Sequence, residues 1–152
     1  MRTFNTILRQ NNLRPVDVRL LRHADSKAPM GTPYEFWRDH RDSKFVLYQE
    51  HQETHYRKIL NADYWAAFVV PPDNKTLFAG LYRVEYVGAL NEQQHQQCSV
   101  HHRRWSCDEY KLILDDKLKN YIGKLSIDWG RGYKTWIQYA HKQDKMVIEA
   151  ES

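Results

Sequence analysis

Pro71 and Pro72 constrain this chain more than any other pair of residues. Proline donates no backbone hydrogen bond, so no central strand can run through both. With Asp73, Asn74 and Lys75 they predict a turn, PPDNK, between two apolar runs. The first, YWAAFVV from Tyr64, is aromatic and β-branched. The second, TLFAGLYRVEYVG from Thr76, is longer and keeps Arg83 and Glu85 in its alternation. Two such runs about a short turn predict neighbouring strands. Gly80 in the middle of the second predicts a bulge, a bend or a close backbone approach. A pair that curls in this way is a building unit of small barrels.

The rest of the chain supplies further elements. Phe4, Ile7 and Leu8 recur at helical spacing in FNTILRQNN, predicting a short helix. VDVRLLRHAD suits a strand or a further helical turn equally well. SKAPMGTP reads as a loop. Thr32, Pro33 and Glu35 fit the N-cap, first and third positions of a helix with reciprocal capping. SKFVLYQEHQETHYRKIL reads as one longer helix or two short ones. The polar segment between Ala89 and Asp108 predicts a long loop, YKLILD a strand, DDKLKNYIGKL a helical turn with Leu118, Tyr121 and Ile122 as its apolar contacts, and LSIDWG a strand. RGY predicts a turn; TWIQYA and KMVIEA, separated by HKQD, are the last strand candidates. There is no internal repeat and no second domain boundary. The expectation is one α+β domain over residues 1–152: a curved, mostly antiparallel sheet or partly closed β-barrel, with helices mainly in the N-terminal third.

A chain of 152 residues removes roughly two-thirds of its extended surface from water on folding, so it needs no staples. Lys and Arg number 23 against 19 Asp and Glu, a mild excess compatible with a polyanion partner but not diagnostic of one. No apolar stretch reaches the roughly 20 residues that cross a bilayer, and the polar start MRTFNTILRQNN has no secretory core, so a cytoplasmic location is expected. Reduced thiols at Cys98 and Cys107 follow from that location.

Enzyme signatures are missing. The chain has no P-loop, dinucleotide fingerprint, zincin helix or nucleophile elbow. Cys98, His101 and Cys107, with His95 and His102, come nearest to a metal cluster, but a structural zinc site shows two tight ligand pairs, and a hydrophilic loop is expected instead. Asp115 and Asp116 read as helix caps among Asp108, Glu109 and Asp128, and Asp128 as a turn acceptor. No metal, cofactor or catalytic set is expected. Basic and aromatic residues, by contrast, interleave: Arg19, Arg22 and His23; Trp37 and Arg38; Arg103, Arg104 and Trp105; Trp129, Arg131, Lys134, Trp136 and Gln138. Cations hold phosphates, while rings and amides read bases.

The segments DVRLLRHAD, PYEFWRDHRDSKFVLYQEHQ, YWAAFVVPPDNKTLFAGLYRVEYVG and LSIDWGRGYKTWIQYAHKQDKMVIE together resemble the N-terminal domain that precedes the catalytic part of bacterial GIY-YIG nuclease family proteins, some of restriction type. The resemblance runs from about Asn12 to Glu149, with residues 92–107 poorly matched. It implies a DNA-associated accessory domain without the catalytic domain: Tyr121-Ile122-Gly123 spells YIG but has no GIY partner before it. Curled strands after N-terminal helices are also similar to PUA-like folds, which implies a concave pocket for a base flipped out of duplex DNA.

Residue chemistry then nominates Arg131, Lys134, Lys142 and Lys145, with Arg22 and Arg38, for contact with the DNA backbone, and Trp65, Trp129, Trp136 and Gln138 for a base pocket, including one that reads a modified base; Trp65, Trp129 and Trp136 stand at strand-like positions that suit core packing equally well. The expected partners are double-stranded DNA and a nuclease domain or subunit. An alternative is a protein-interaction module that docks such a nuclease or defence partner.

Overall fold

The computed structural model describes residues 2–24, 32–39, 51–53, 62–89, 107–130 and 137–150. Among the described residues two α-helices, α1 (Phe4–Gln10) and α2 (Pro33–Asp39), lie in the N-terminal third. Eight strands among the described residues form one sheet: β1 (Val18–His23), β2 (His51–Glu53), β3 (Tyr64–Val69), β4 (Thr76–Ala89), β5 (Cys107–Leu114), β6 (Leu125–Ile127), β7 (Ile137–Tyr139) and β8 (Val147–Ala150).

The two apolar runs about PPDNK are β3 and β4, paired antiparallel. The turn is set locally: the Asn74 amide donates to the Pro71 carbonyl at 2.9 Å, and the Lys75 amide to Asp73 Oδ1 at 3.1 Å. Gly80 marks both a bulge and a close approach. Ala67 faces Gly80 but Phe68 faces Phe78, so Ala79 is the extra residue. Gly80 has a φ of 154°, and a Cβ there would meet Leu114 Cδ1 at 3.1 Å and the Tyr82 ring at 3.2 Å.

VDVRLLRHAD holds both of the alternatives read from it: Val16 and Asp17 belong to a 3₁₀ turn, Pro15–Asp17, and Val18–His23 form strand β1, parallel to β3 and antiparallel to β7. Its alternation Val18-Arg19-Leu20 breaks at Leu21 because Leu20 enters one core and Leu21 the other, which is why its pattern is ambiguous in sequence. His51–Glu53 corrects the helical reading of its segment: these residues form β2, because the edge of β5 at Cys107–Glu109 supplies hydrogen-bond partners that local helix propensity cannot match. The remainder of that segment lies outside the described residues, as do most of SKAPMGTP, the polar stretch from residue 90 to 106, and RGY.

β4 is long enough to share one edge between β5, along Tyr82–Ala89, and β6, at Thr76 and Leu77. β8 continues from β6. The path β7-β1-β3-β4-β6-β8 curls into a half-barrel whose two end strands are consecutive in sequence. α1 closes its open side. Phe4 donates its amide to the Lys145 carbonyl at 2.7 Å, Val147 to that of Arg2 at 3.1 Å, and Asn5 Nδ2 to that of Ala140 at 2.7 Å.

Side chains alternate between two cores. On the α1 side, Phe4, Leu8, Leu20, Ala66, Phe68, Phe78, Leu81, Ile127 and Trp129 pack together. Phe4, Phe68 and Phe78 form a ring trio with centroids 5.4 to 5.9 Å apart. On the other face Leu21, Trp65, Ala67, Val69, Ala79, Tyr82, Tyr110 and Ile137 pack against Phe36 and Trp37 of α2. The 3₁₀ helix Asp116–Tyr121 buries Leu118 and half-buries Tyr121, and Asp115 caps it by accepting from the Lys117 amide at 2.9 Å.

A candidate recognition cleft at the end of the central strands

α2 is built to be held at one end of the sheet. Thr32 and Glu35 cap it reciprocally: the Glu35 amide donates to Thr32 Oγ1 at 3.1 Å, and the Thr32 amide to Glu35 Oε1 at 3.3 Å. Its buried face then anchors the helix, with Trp37 Nε1 donating to the Ala79 carbonyl at 3.2 Å.

Between the first turns of α2, the end of β1 and the PPDNK turn lies a cleft of about 490 Å³, a size typical of small-molecule sites, roughly 300–1,000 Å³. Arg22 and Ala24 line it from β1 and just beyond. Pro33, Tyr34, Glu35 and Arg38 line it from α2 and Thr32 from the cap before it, and Val70, Pro71, Pro72 and Asn74 from the turn. Arg22 is half-buried and donates from Nε to Thr76 Oγ1 at 3.2 Å. Arg38 is exposed and forks onto Asp39, with Nε 2.9 Å from Oδ1 and Nη2 3.4 Å from Oδ2. That hydrogen bond, followed by the charge of the same carboxylate, raises the pKa of the Arg38 guanidinium. Its Cζ stands 5.8 Å from the centre of the Tyr34 ring. Asn74 has a φ of 64°, the left-handed conformation that asparagine tolerates.

Arg22 and Arg38, both nominated from sequence, therefore share one cleft. The other nominees separate. Lys142 is exposed near the opposite end of β1, its ammonium 4.3 Å from the centre of the Tyr139 ring. Arg19 Cζ lies 4.1 Å from the same ring centre, and Arg19 and Tyr139 are register partners. Burial lowers the pKa of the Arg19 guanidinium against the opposing charges of Tyr139, Asp17 and Asp63.

Lys145 does not face outward, which corrects its assignment to a phosphate. It is 5% exposed, and its Nζ donates to the Trp129 carbonyl at 2.6 Å and to Gln143 Oε1 at 3.0 Å. Burial pushes the Lys145 ammonium below the usual lysine value, partly opposed by Asp128. Arg131, Lys134 and Trp136 lie outside the described residues.

The proposed ring pocket also needs correction. Trp65 is 0% exposed and packs on Tyr110 at 4.8 Å, in the core that α2 covers. Trp129 packs on Phe68 at 6.3 Å, in the core that α1 covers. Gln138 is the register partner of Leu20, on the α1 face. These three residues lie across two faces of one sheet and cannot line a common pocket. The indole nitrogens of both tryptophans and Gln138 Oε1 are buried without hydrogen-bond partners.

Tyr34, Glu35 and Asn74 are cleft residues that sequence reasoning read only as helix start and turn. Each was legible locally; their meeting depends on how the chain returns from β1 through α2 to β3, which no local pattern encodes. Asp128 accepts from the Gly130 amide at 2.9 Å, as its turn position predicts. Among the described residues, no three His, Cys, Asp or Glu side chains gather to hold a metal ion, and no helix is long and apolar enough to cross a membrane. Cys98 and His101 lie outside the described residues, and Cys107 begins β5. The chain matches no family model, no curated protein and no solved structure.

Proposed function

We propose that this chain is a DNA-binding recognition domain that works with a nuclease or restriction partner in the cytoplasm, and that the cleft between α2 and the PPDNK turn receives a base extruded from duplex DNA. The observation that carries the reading is the convergence of Arg22, Tyr34, Arg38 and Asn74 on one cleft: rings and guanidinium planes stack on bases, and an amide pairs with a base edge. The basic balance and the resemblance to a nuclease-associated domain support it. In this reading the cutting chemistry belongs to the partner, and Lys142, with Arg131 and Lys134, holds the DNA backbone.

The test is fluorescence anisotropy on labelled duplexes at several salt concentrations. Affinity is expected to fall as salt rises, and Lys142→Ala to flatten the log–log slope by about 0.9, the release of one phosphate's counterions. Otherwise identical duplexes carrying unmodified, methylated or hydroxymethylated cytosine, or methylated adenine, then show whether a modification is read; equal affinity across the panel discards modified-base discrimination alone. Absence of binding at low salt overturns DNA binding. It favours instead a protein-interaction module, for which the exposed Tyr86 and Leu114, on one face of β4 and β5, offer a surface.

A further inference from the structure

Resting on the reading of the cleft as a base-recognition site, we infer that its ligand is one uncharged nucleoside that enters ring first and leaves any phosphate outside. Each of the three charged residues that line the cleft is already engaged by a protein group, Arg22 through its hydrogen bond to Thr76. The Arg38 fork is occupied by both oxygens of Asp39. Glu35 lines the same space, and its Oε1 accepts from both the amide and the hydroxyl of Thr32, the latter at 2.8 Å. A phosphate placed there would have to displace Asp39 from Arg38 and lie near the Glu35 carboxylate. Each change removes a charge-assisted hydrogen bond or adds a like-charge contact.

A neutral ring meets neither obstacle. The walls contributed by Pro33, Pro71, Pro72 and Tyr34 are flat and mostly apolar, which suits the faces of a heterocycle. The edges are polar. Asn74 has both a donor and an acceptor on its amide, the pair needed to match a base edge. Its backbone is fixed by the hydrogen bond to Pro71, so the residue is positioned before any ligand arrives. A volume of about 490 Å³ leaves room for a sugar beside the ring.

The nucleoside has two possible sources, a strand of DNA or the free pool, and the experiment separates them. The ¹⁵N-labelled full chain is titrated with the four deoxynucleosides, their 5′-monophosphates and inorganic phosphate, and in parallel with a short duplex. At least one nucleoside is expected to shift the amides of Tyr34, Arg38 and Asn74 at millimolar concentration. Its monophosphate should bind no more than about twofold tighter, and phosphate alone should leave those amides in place.

Asn74→Gly removes the amide while keeping the positive φ, and should weaken the nucleoside by about tenfold. Retention of the other amide shifts of the spectrum shows that this variant is folded. Shifts of the cleft amides by inorganic phosphate, a tenfold preference for the monophosphate, or silence of those amides toward every nucleoside each overturn the inference. Salt-sensitive duplex binding with cleft amides silent to nucleosides overturns it while leaving the DNA-binding reading intact. Nucleoside binding without duplex binding upholds the ligand class, assigns its source to the free pool and ends the DNA reading.

Discussion

A buried lysine must exchange its water for something, and Lys145 exchanges it for the Trp129 carbonyl, the Gln143 side chain and the face of the Trp129 indole, 5.0 Å from its nitrogen. The first of these satisfies an acceptor at the Asp128–Gly130 corner that would otherwise lack that donor. Lys145→Met should therefore lower stability by about 1–3 kcal/mol in urea unfolding at neutral pH, the cost of stripping a partner from a buried polar group.

The pH dependence of that difference has a definite sign. Burial holds the folded pKa of Lys145 below its unfolded value, with Asp128 as the opposing charge. Between the two values the unfolded chain binds more protons, so the margin of wild type over Lys145→Met should grow as pH rises toward about 10.4. A margin that shrinks over that interval would contradict the assignment. From sequence, Lys145 and Lys142 look alike, two cations in a polar HKQDK run. The Trp129 carbonyl, 16 positions away, holds Lys145 inward, and no local pattern contains that information.

At the scale of elements, β4 carries the sharpest constraint. Phe78 and Leu81 are three positions apart yet belong to the same core, which an unbroken strand with its two-residue period cannot arrange. The extra residue Ala79 supplies the missing step, and Gly80 supplies both the backbone angle and the space. Gly80→Val should cost about 1–3 kcal/mol from overpacking against Leu114 and Tyr82, with additional strain at positive φ, measured as a lowered midpoint in thermal or urea unfolding. An unchanged midpoint would show that β4 is not held as tightly as its contacts indicate.

Strands β3 and β4, the capping box of α2 and the bulge at Gly80 were all legible because each is written in neighbouring residues. β1 was ambiguous because the neighbours Leu20 and Leu21 serve different cores, which breaks its alternation. β2 was misread because an edge at β5, more than fifty positions away, decides its conformation.

Across the whole molecule, β3 sends Ala66 and Phe68 into one core and Trp65, Ala67 and Val69 into the other, so neither core can be lost without disturbing the strand both share. Phe68→Ala should cost about 3–5 kcal/mol, and near- and far-ultraviolet circular dichroism should report one coincident unfolding transition in both proteins. Two separated transitions would mean that the cores are independent. The closure of the half-barrel by α1 bears also on how the protein is made. Asn5 is joined to Asp144 across 139 positions of chain, and at about 5–20 residues per second a ribosome needs on the order of ten seconds to deliver the second partner after the first. Phe4, Ile7 and Leu8 can meet Leu20, Ala66, Phe68 and Phe78 well before that, but the hydrogen bonds of α1 to Ala140, Asp144 and Lys145 form only when synthesis is nearly over, so the half-barrel closes last.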